Sequence, residues 1–316
     1  MKRMMILIGI FVSLAMVLPA GGRKDTAKRT DGKIQVVTTI FPPYDFVREI
    51  AGDKVNLAML LPPGAESHSF EPTPQDIIRV QNCDVFIYVG GESDAWVEQI
   101  LESMDTSRME IITLMDCVEV VEELIVEGME EEEEEDEAEG PEYDEHVWTS
   151  PRNASLIVQK IAGVLKQRDA PNAAEYDKNT AAYTAKLADL DTSFQTMING
   201  AKRKTMVFGD RFPFRYFADA YGLSYFAAFP GCSTETECSA ATIVFLVNKI
   251  RNENIPAVFH IELSNEKIAD TICEETGAKK LLLHAVHNIT KRDFDRGANY
   301  YDLMTQNIGT LRQALY

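Results

Sequence analysis

The sequence has little of what most metal sites and catalytic centres are built from. Only five histidines and five cysteines are spread over 316 residues. The cysteines (Cys83, Cys117, Cys232, Cys238, Cys273) form no Cys-x-x-Cys pair, which argues against a cysteine zinc ribbon. Cys232 and Cys238 can close a small loop where disulfides are permitted, and the odd count leaves a thiol over. Cys83 and Cys273 read as small buried apolar residues. There is no His-Glu-x-x-His, no Gly-x-Ser-x-Gly and no phosphate-cradling glycine loop. Glu71, Glu92 and Glu262 have no evident partner for acid or base work. Basic charge is also scarce: from Cys117 through Pro151 there is no Lys or Arg, while sixteen acids fall in that stretch. Setting these sixteen aside takes the formal charge from −19 to −3, so the remaining body is ordinary. Nothing resembles a basic face that would track phosphates, and nucleic acid is excluded as a partner.

Long apolar runs are absent except at the N-terminus. Met1-Lys2-Arg3 is followed by an apolar stretch from Met4 to Leu18 and then by Pro19-Ala20-Gly21-Gly22. Fifteen residues are too few to span a bilayer comfortably, so residues 1–22 read as a cleaved export signal. Residues 23–32 read as a polar linker. An exported protein is expected, periplasmic or associated with the cell surface.

With 45% hydrophobic residues, the remainder has enough apolar surface for two domains. Strand-like runs at Lys33–Ile40, Val55–Leu61, Val85–Val89 and Met109–Leu114 alternate with helix-like segments. Thr73 and Pro74 suit an N-cap and first helical position. Four more strand-like runs follow, at Thr205–Phe208, Ser224–Ala228, Ala257–Ile261 and Lys280–Leu283. Alternation of this kind implies an α/β fold with two roughly four-stranded parallel sheets flanked by helices. Between the halves, Tyr176, Tyr183, Leu187, Leu190, Phe194 and Met197 fall at helical spacing, predicting a rigid connector about 40 Å long. The division expected is a first lobe at 33–170, with an acidic insert at about 128–143, a connecting helix at 171–200 and a second lobe at 201–316. The insert reads as a solvated loop that gathers divalent cations without fixing them.

Among the histidines, His68 lies in a loop leaving a strand's C-terminal end. His146 follows the acidic insert, His284 ends an apolar strand, and His287 is three residues further on. Neutral imidazole is the commonest metal ligand, and open parallel sheets bind ligands beyond those strand ends. His260, inside Ala257-Val258-Phe259-His260-Ile261, reads as a buried strand histidine instead.

Three segments carry a more specific signal: Val37-Thr38-Thr39-Ile40-Phe41-Pro42, Pro63 to Pro74 around His68, and Asp144-Glu145-His146-Val147-Trp148-Thr149-Ser150-Pro151. With the Glu235-Thr236-Glu237 to Ala240 region, they resemble the zinc- and manganese-binding solute-binding proteins of ABC transporters (cluster A-I, zinc-uptake type). The resemblance runs from about Lys33 to Tyr316. It implies two lobes joined by a rigid helix with the metal between them, and a membrane permease as partner to a monomer. His68 and His146 match the family's first-lobe ligands. Its first second-lobe ligand falls at Arg211, which cannot ligate a cation, and the other at about His284. The set His68, His146, His284 and His287 would repair the gap, with Asp210 a lesser substitute. Such imidazoles favour zinc over manganese. Two further readings are an exported metallohydrolase with a three-histidine zinc and an adhesin of the same fold stabilised by metal. Family members are often lipid-anchored through a cysteine; here Gly22 stands in that region.

Overall fold

A computed structural model describes residues 32–66, 70–129, 142–233 and 237–316. The expected signal, almost all of the linker, His68, the acidic run at 130–141 and Glu235-Thr236 lie outside these residues. Lys33–Tyr316 packs as one compact unit. Among the described residues no helix is long and apolar enough to cross a membrane.

The first sheet contains β1 (Gln35–Thr38), β2 (Asn56–Met59), β3 (Val85–Tyr88) and β4 (Glu110–Thr113), all parallel, in the order β2-β1-β3-β4. Helices α1 (Phe41–Ala51), α2 (Pro74–Gln81) and α3 (Ala95–Glu102) lie between its strands in sequence. Thr73 caps α2 as expected: its hydroxyl accepts from Asp76 N while the Asp76 side chain accepts from Thr73 N, a reciprocal capping box. Two long helices follow, α4 (Pro151–Arg168) and α5 (Ala173–Asn199).

The second sheet repeats the order of the first as β6-β5-β7-β8, with β5 (Thr205–Arg211), β6 (Ser224–Phe229), β7 (Ala257–His260) and β8 (Lys279–Leu282). Around it are α6 (Arg215–Tyr221), α7 (Ala240–Glu253) and α8 (Lys267–Thr276). The short α9 (Lys291–Asp295), which sequence periodicity did not reveal, and α10 (Tyr300–Leu315) close the chain. Both sheets are parallel, and an order such as β2-β1-β3 places a crevice beyond the strands' C-terminal ends.

The 27-residue α5 joins the two sheets, at about 40 Å by the rise of a helix. Its six expected positions, Tyr176, Tyr183, Leu187, Leu190, Phe194 and Met197, are all buried. They belong to one apolar cluster that also holds Phe46 and Ile87 of the first lobe and Phe208 and Phe259 of the second. The lobes therefore share a core. A second pin is Asp45 on α1, which is buried, accepts from Tyr300 N at the start of α10 at 2.6 Å and pairs with Arg48. Burial is the main cause pushing the Asp45 carboxyl up to about 6.

All five cysteines are thiols, so the small loop available to Cys232 and Cys238 is not closed by a disulfide. Cys83 is buried as expected, whereas Cys273 is only half-buried.

Candidate metal centre

The crevice is formed by loops leaving strand C-terminal ends in both lobes. From the first lobe come Thr39 and Ile40 after β1, the Leu61–Glu66 loop after β2 and the turn after β3. Arg211 ends β5, Ile261 to Glu266 follow β7, and Leu283 to Asn288 follow β8. Near its C-terminal end β5 shifts register, and a Cβ at Gly209 would lie 2.5 Å from Ala269 Cα on α8. Only glycine permits that approach of strand to helix, and the chain then delivers Asp210 and Arg211 to the crevice.

His146 is fully buried. Asp144 Oδ1 accepts from the His146 backbone N–H at 2.8 Å and lies 3.0 Å from its ring Nδ1. A carboxylate on Nδ1 fixes the ring's orientation, and in metal sites built this way the ligand is the other nitrogen, Nε2. Burial pushes the His146 pKa down, but the charges of Asp144, Glu145 and Glu123 outweigh it and the net shift is upward. The segment carrying His146 is also gripped by the second lobe: Tyr216 OH on α6 donates to Asp144 O at 2.7 Å.

His287 meets His146 directly. Their ring centroids are 4.6 Å apart and nearly perpendicular, and Trp148 packs edge-on against both rings. The His287 turn is fastened to the first lobe at three points. Phe41 N donates to His287 O at 3.2 Å, Trp148 Nε1 donates to Ala285 O at 2.8 Å, and Asn288 Nδ2 donates to Pro62 O and Ala65 O.

The remaining expected residues are placed differently. His284 Nδ1 accepts from Val286 N–H at 3.0 Å, and its ring lines neither of the two cavities at the crevice. His260 is buried, with Nδ1 3.2 Å from Ile261 O, a strand histidine as expected. Both Asp210 carboxylate oxygens accept backbone N–H groups, from Arg211 and Ile261. Arg211 Nη1 donates to Glu66 Oε1 at 2.9 Å. Among the described residues, no group of three or more His, Cys, Asp or Glu side chains is gathered closely enough to hold a metal ion. Of the expected histidines among the described residues, the structure brings two imidazoles together, those of His146 and His287.

His287 borders two cavities. The smaller, of about 30 Å³, also touches His146, Trp148, Phe70, Asp94 and Glu145. Burial pushes the Asp94 carboxyl up to about 6 and that of Glu145 to about 7. The larger, of about 180 Å³, is bordered by Glu66, Asp210, Arg211, Glu262 and Asn288 as well. Two residues of this centre gave little sign in the sequence: Asp144, visible only as a neighbour of His146, and Glu262, whose partners are backbone amides.

Two parallel α/β lobes on a stiff helix, with paired histidines in the crevice between them, define the two-lobed class of solute-binding protein. The chain belongs to the family described as zinc-uptake complex component A, periplasmic, whose model matches residues 36–314. It is 33% identical over 316 residues to the high-affinity zinc uptake system protein ZnuA of Bacillus subtilis, covering 97% of each chain. It is 31% identical to the zinc-binding lipoprotein AdcA of Streptococcus pneumoniae over 99% of its own length, but spans 61% of that relative. Among solved structures, the metal-dependent lipoprotein YcdH of B. subtilis superposes with a TM-score of 0.74 at 31% identity, over 90% of this chain and 99% of that one. The Zn(II)-bound ZnuA-like domain of S. pneumoniae AdcA gives 0.73 at 29% identity, over 90% and 99%. The family is one of transporter components and not of enzymes, which sets aside the metallohydrolase reading.

Proposed function

We propose that this protein is exported, captures one zinc ion between its lobes and surrenders it to an ABC permease. His68, His146 and His287 hold the ion. The observation that carries the reading is the His146–His287 pair, two buried imidazoles from different lobes with centroids 4.6 Å apart. Asp144 holds the first ring by Nδ1, an arrangement that raises the basicity of the ligating nitrogen. His68, which matches a first-lobe ligand of the family and follows Pro62 and Ala65 in sequence, supplies the third imidazole. His284, also expected in the set, enters it only by releasing the Val286 amide that its Nδ1 now accepts. Imidazole donors favour zinc over oxygen-seeking manganese. The zinc-binding names of the relatives point the same way.

The test is a competition titration against a chromophoric chelator, with zinc and manganese in turn, followed by zinc uptake into vesicles carrying the permease. Stoichiometric zinc binding, manganese binding at least a hundredfold weaker, and uptake that depends on the added protein support the proposal. Tighter manganese than zinc, or uptake unchanged by the protein, contradicts it.

A further inference from the structure

Beside the paired histidines sits a buried acid that the proposed ligand set does not use. The Glu262 side chain is 6% exposed and follows β7, where it underlies the turn after β8. Its two carboxylate oxygens are separately engaged: Oε2 accepts from Ala285 N at 2.7 Å and Oε1 from His287 N at 2.9 Å. Both rings of the turn lie near it but beyond hydrogen-bond reach, His284 Nδ1 at 3.4 Å from Oε2 and His287 Nδ1 at 3.9 Å from Oε1. Glu262 thus grips the turn by its backbone.

The turn needs such a grip. Val286 has φ +65°, a left-handed conformation that a β-branched residue adopts only when its surroundings impose it. Asn307 ties down one end, accepting from His284 N at 2.9 Å and donating to His284 O at 2.8 Å. Glu262 holds the two amides that flank Val286. Hydrogen bonds from amides to an ionised carboxylate are stronger than those to a neutral acceptor, and here two of them converge on one buried side chain.

We infer that Glu262 is the positioning residue of the zinc site: it holds the strained Ala285–His287 backbone so that the His287 ring faces His146. This rests on the zinc reading above. Glu262 acts on the site through the backbone, since each of its oxygens accepts an amide of the turn that carries His287. Acids in such supporting roles change metal affinity by about 10- to 100-fold when removed.

The experiment compares the parent with Glu262→Ala and Glu262→Gln. It measures zinc affinity by competition, the visible spectrum of the cobalt(II)-loaded protein, and thermal melting of the metal-free protein. Glutamine keeps one carbonyl acceptor and turns an NH2 toward the other amide, so it falls between parent and alanine. The expected result is a loss of zinc affinity of about 10- to 100-fold for alanine and less for glutamine, with the cobalt band moved or changed in intensity in both. A supporting role in stability alone would lower the melting temperature and leave the cobalt band in place. The inference is overturned if both variants bind zinc within about threefold of the parent, well inside the range expected for a supporting acid, or if affinity falls with an unchanged cobalt spectrum. If Glu262→Ala does not fold, Glu262→Gln decides by the same two readouts. A parent that binds neither metal overturns the zinc reading and this inference together, whereas a parent that binds normally beside indifferent variants overturns only the inference.

Discussion

The Arg211 guanidinium donates to the Glu66 carboxylate at 2.9 Å, and this ion pair joins the end of β5 in the second lobe to the loop after β2 in the first. By resemblance, Arg211 stands where a metal-ligating side chain was expected. Here the position bridges the lobes through charge. The carboxylate side is 35% exposed, so solvent screens the pair and its contribution to stability is below about 1 kcal/mol.

Replacing Arg211 with histidine therefore tests the position at little risk to the fold. Arg211→His adds an imidazole at the crevice and removes a positive charge that repels the incoming cation. Zinc is expected to bind at least about tenfold more tightly, a gain of about 1.4 kcal/mol, measured by chelator competition. Unchanged affinity would mean that the end of β5 does not reach the ion.

Asp144 is the acid that orients His146. Asp144→Asn preserves size but weakens the hold on Nδ1, and its amide can present a donor where the ring needs an acceptor. Zinc affinity is expected to fall about 10- to 100-fold, with a melting temperature close to the parent's. Equal affinity in parent and variant would show that the ring is held by its packing on Trp148 and His287 alone.

Asp45 gives the protein a pH-dependent stability away from the metal. Its folded pKa of about 6 lies above the ordinary 3.8, so the folded state holds the proton more tightly than the unfolded chain. Its contribution is fully present below about pH 4 and is lost as the pH rises through about 6. Urea unfolding of parent and Asp45→Asn is expected to diverge over that window, the parent losing up to about 3 kcal/mol relative to the variant. Parallel stability curves would rule this out.

Because one apolar cluster runs through both sheets and α5, the lobes should melt together. Leu187→Ala on α5 empties a fully buried position and is expected to cost about 2–5 kcal/mol. The calorimetric trace should remain a single transition. Two separated transitions would show that the lobes have independent cores.

The architecture was legible because central strands such as β3 and β7, buried on both faces, read as apolar runs. The half-buried edge strands β2, β4 and β8 still carry short apolar stretches, and the connecting helix repeats its aromatic and leucine positions at helical spacing. All eight strands and the stiff α5 follow from those patterns. The site was legible only in part. His146 stands out as a rare residue after the acidic insert and within a family-like motif, and His287 as one near a strand end, yet nothing in the spacing of His284 and His287 distinguishes them. That difference comes from the Val286 amide, which takes up Nδ1 of His284, and from the left-handed Val286 backbone that turns His287 toward the first lobe. Glu262 and Asn307 act through backbone atoms of residues about 23 to 25 positions away, a pairing that only the folded chain creates. The disulfide open to Cys232 and Cys238 is another such case, since their spacing permitted a bond that the fold does not make.

The most direct test is zinc stoichiometry by elemental analysis of the protein lacking residues 1–32, beside His146→Ala and His287→Ala. The account predicts one tightly held zinc per chain in the parent and its loss in both variants. Zinc that survives both substitutions and disappears only when residues 130–141 are deleted would contradict it, placing the metal on the acidic segment and not between the lobes.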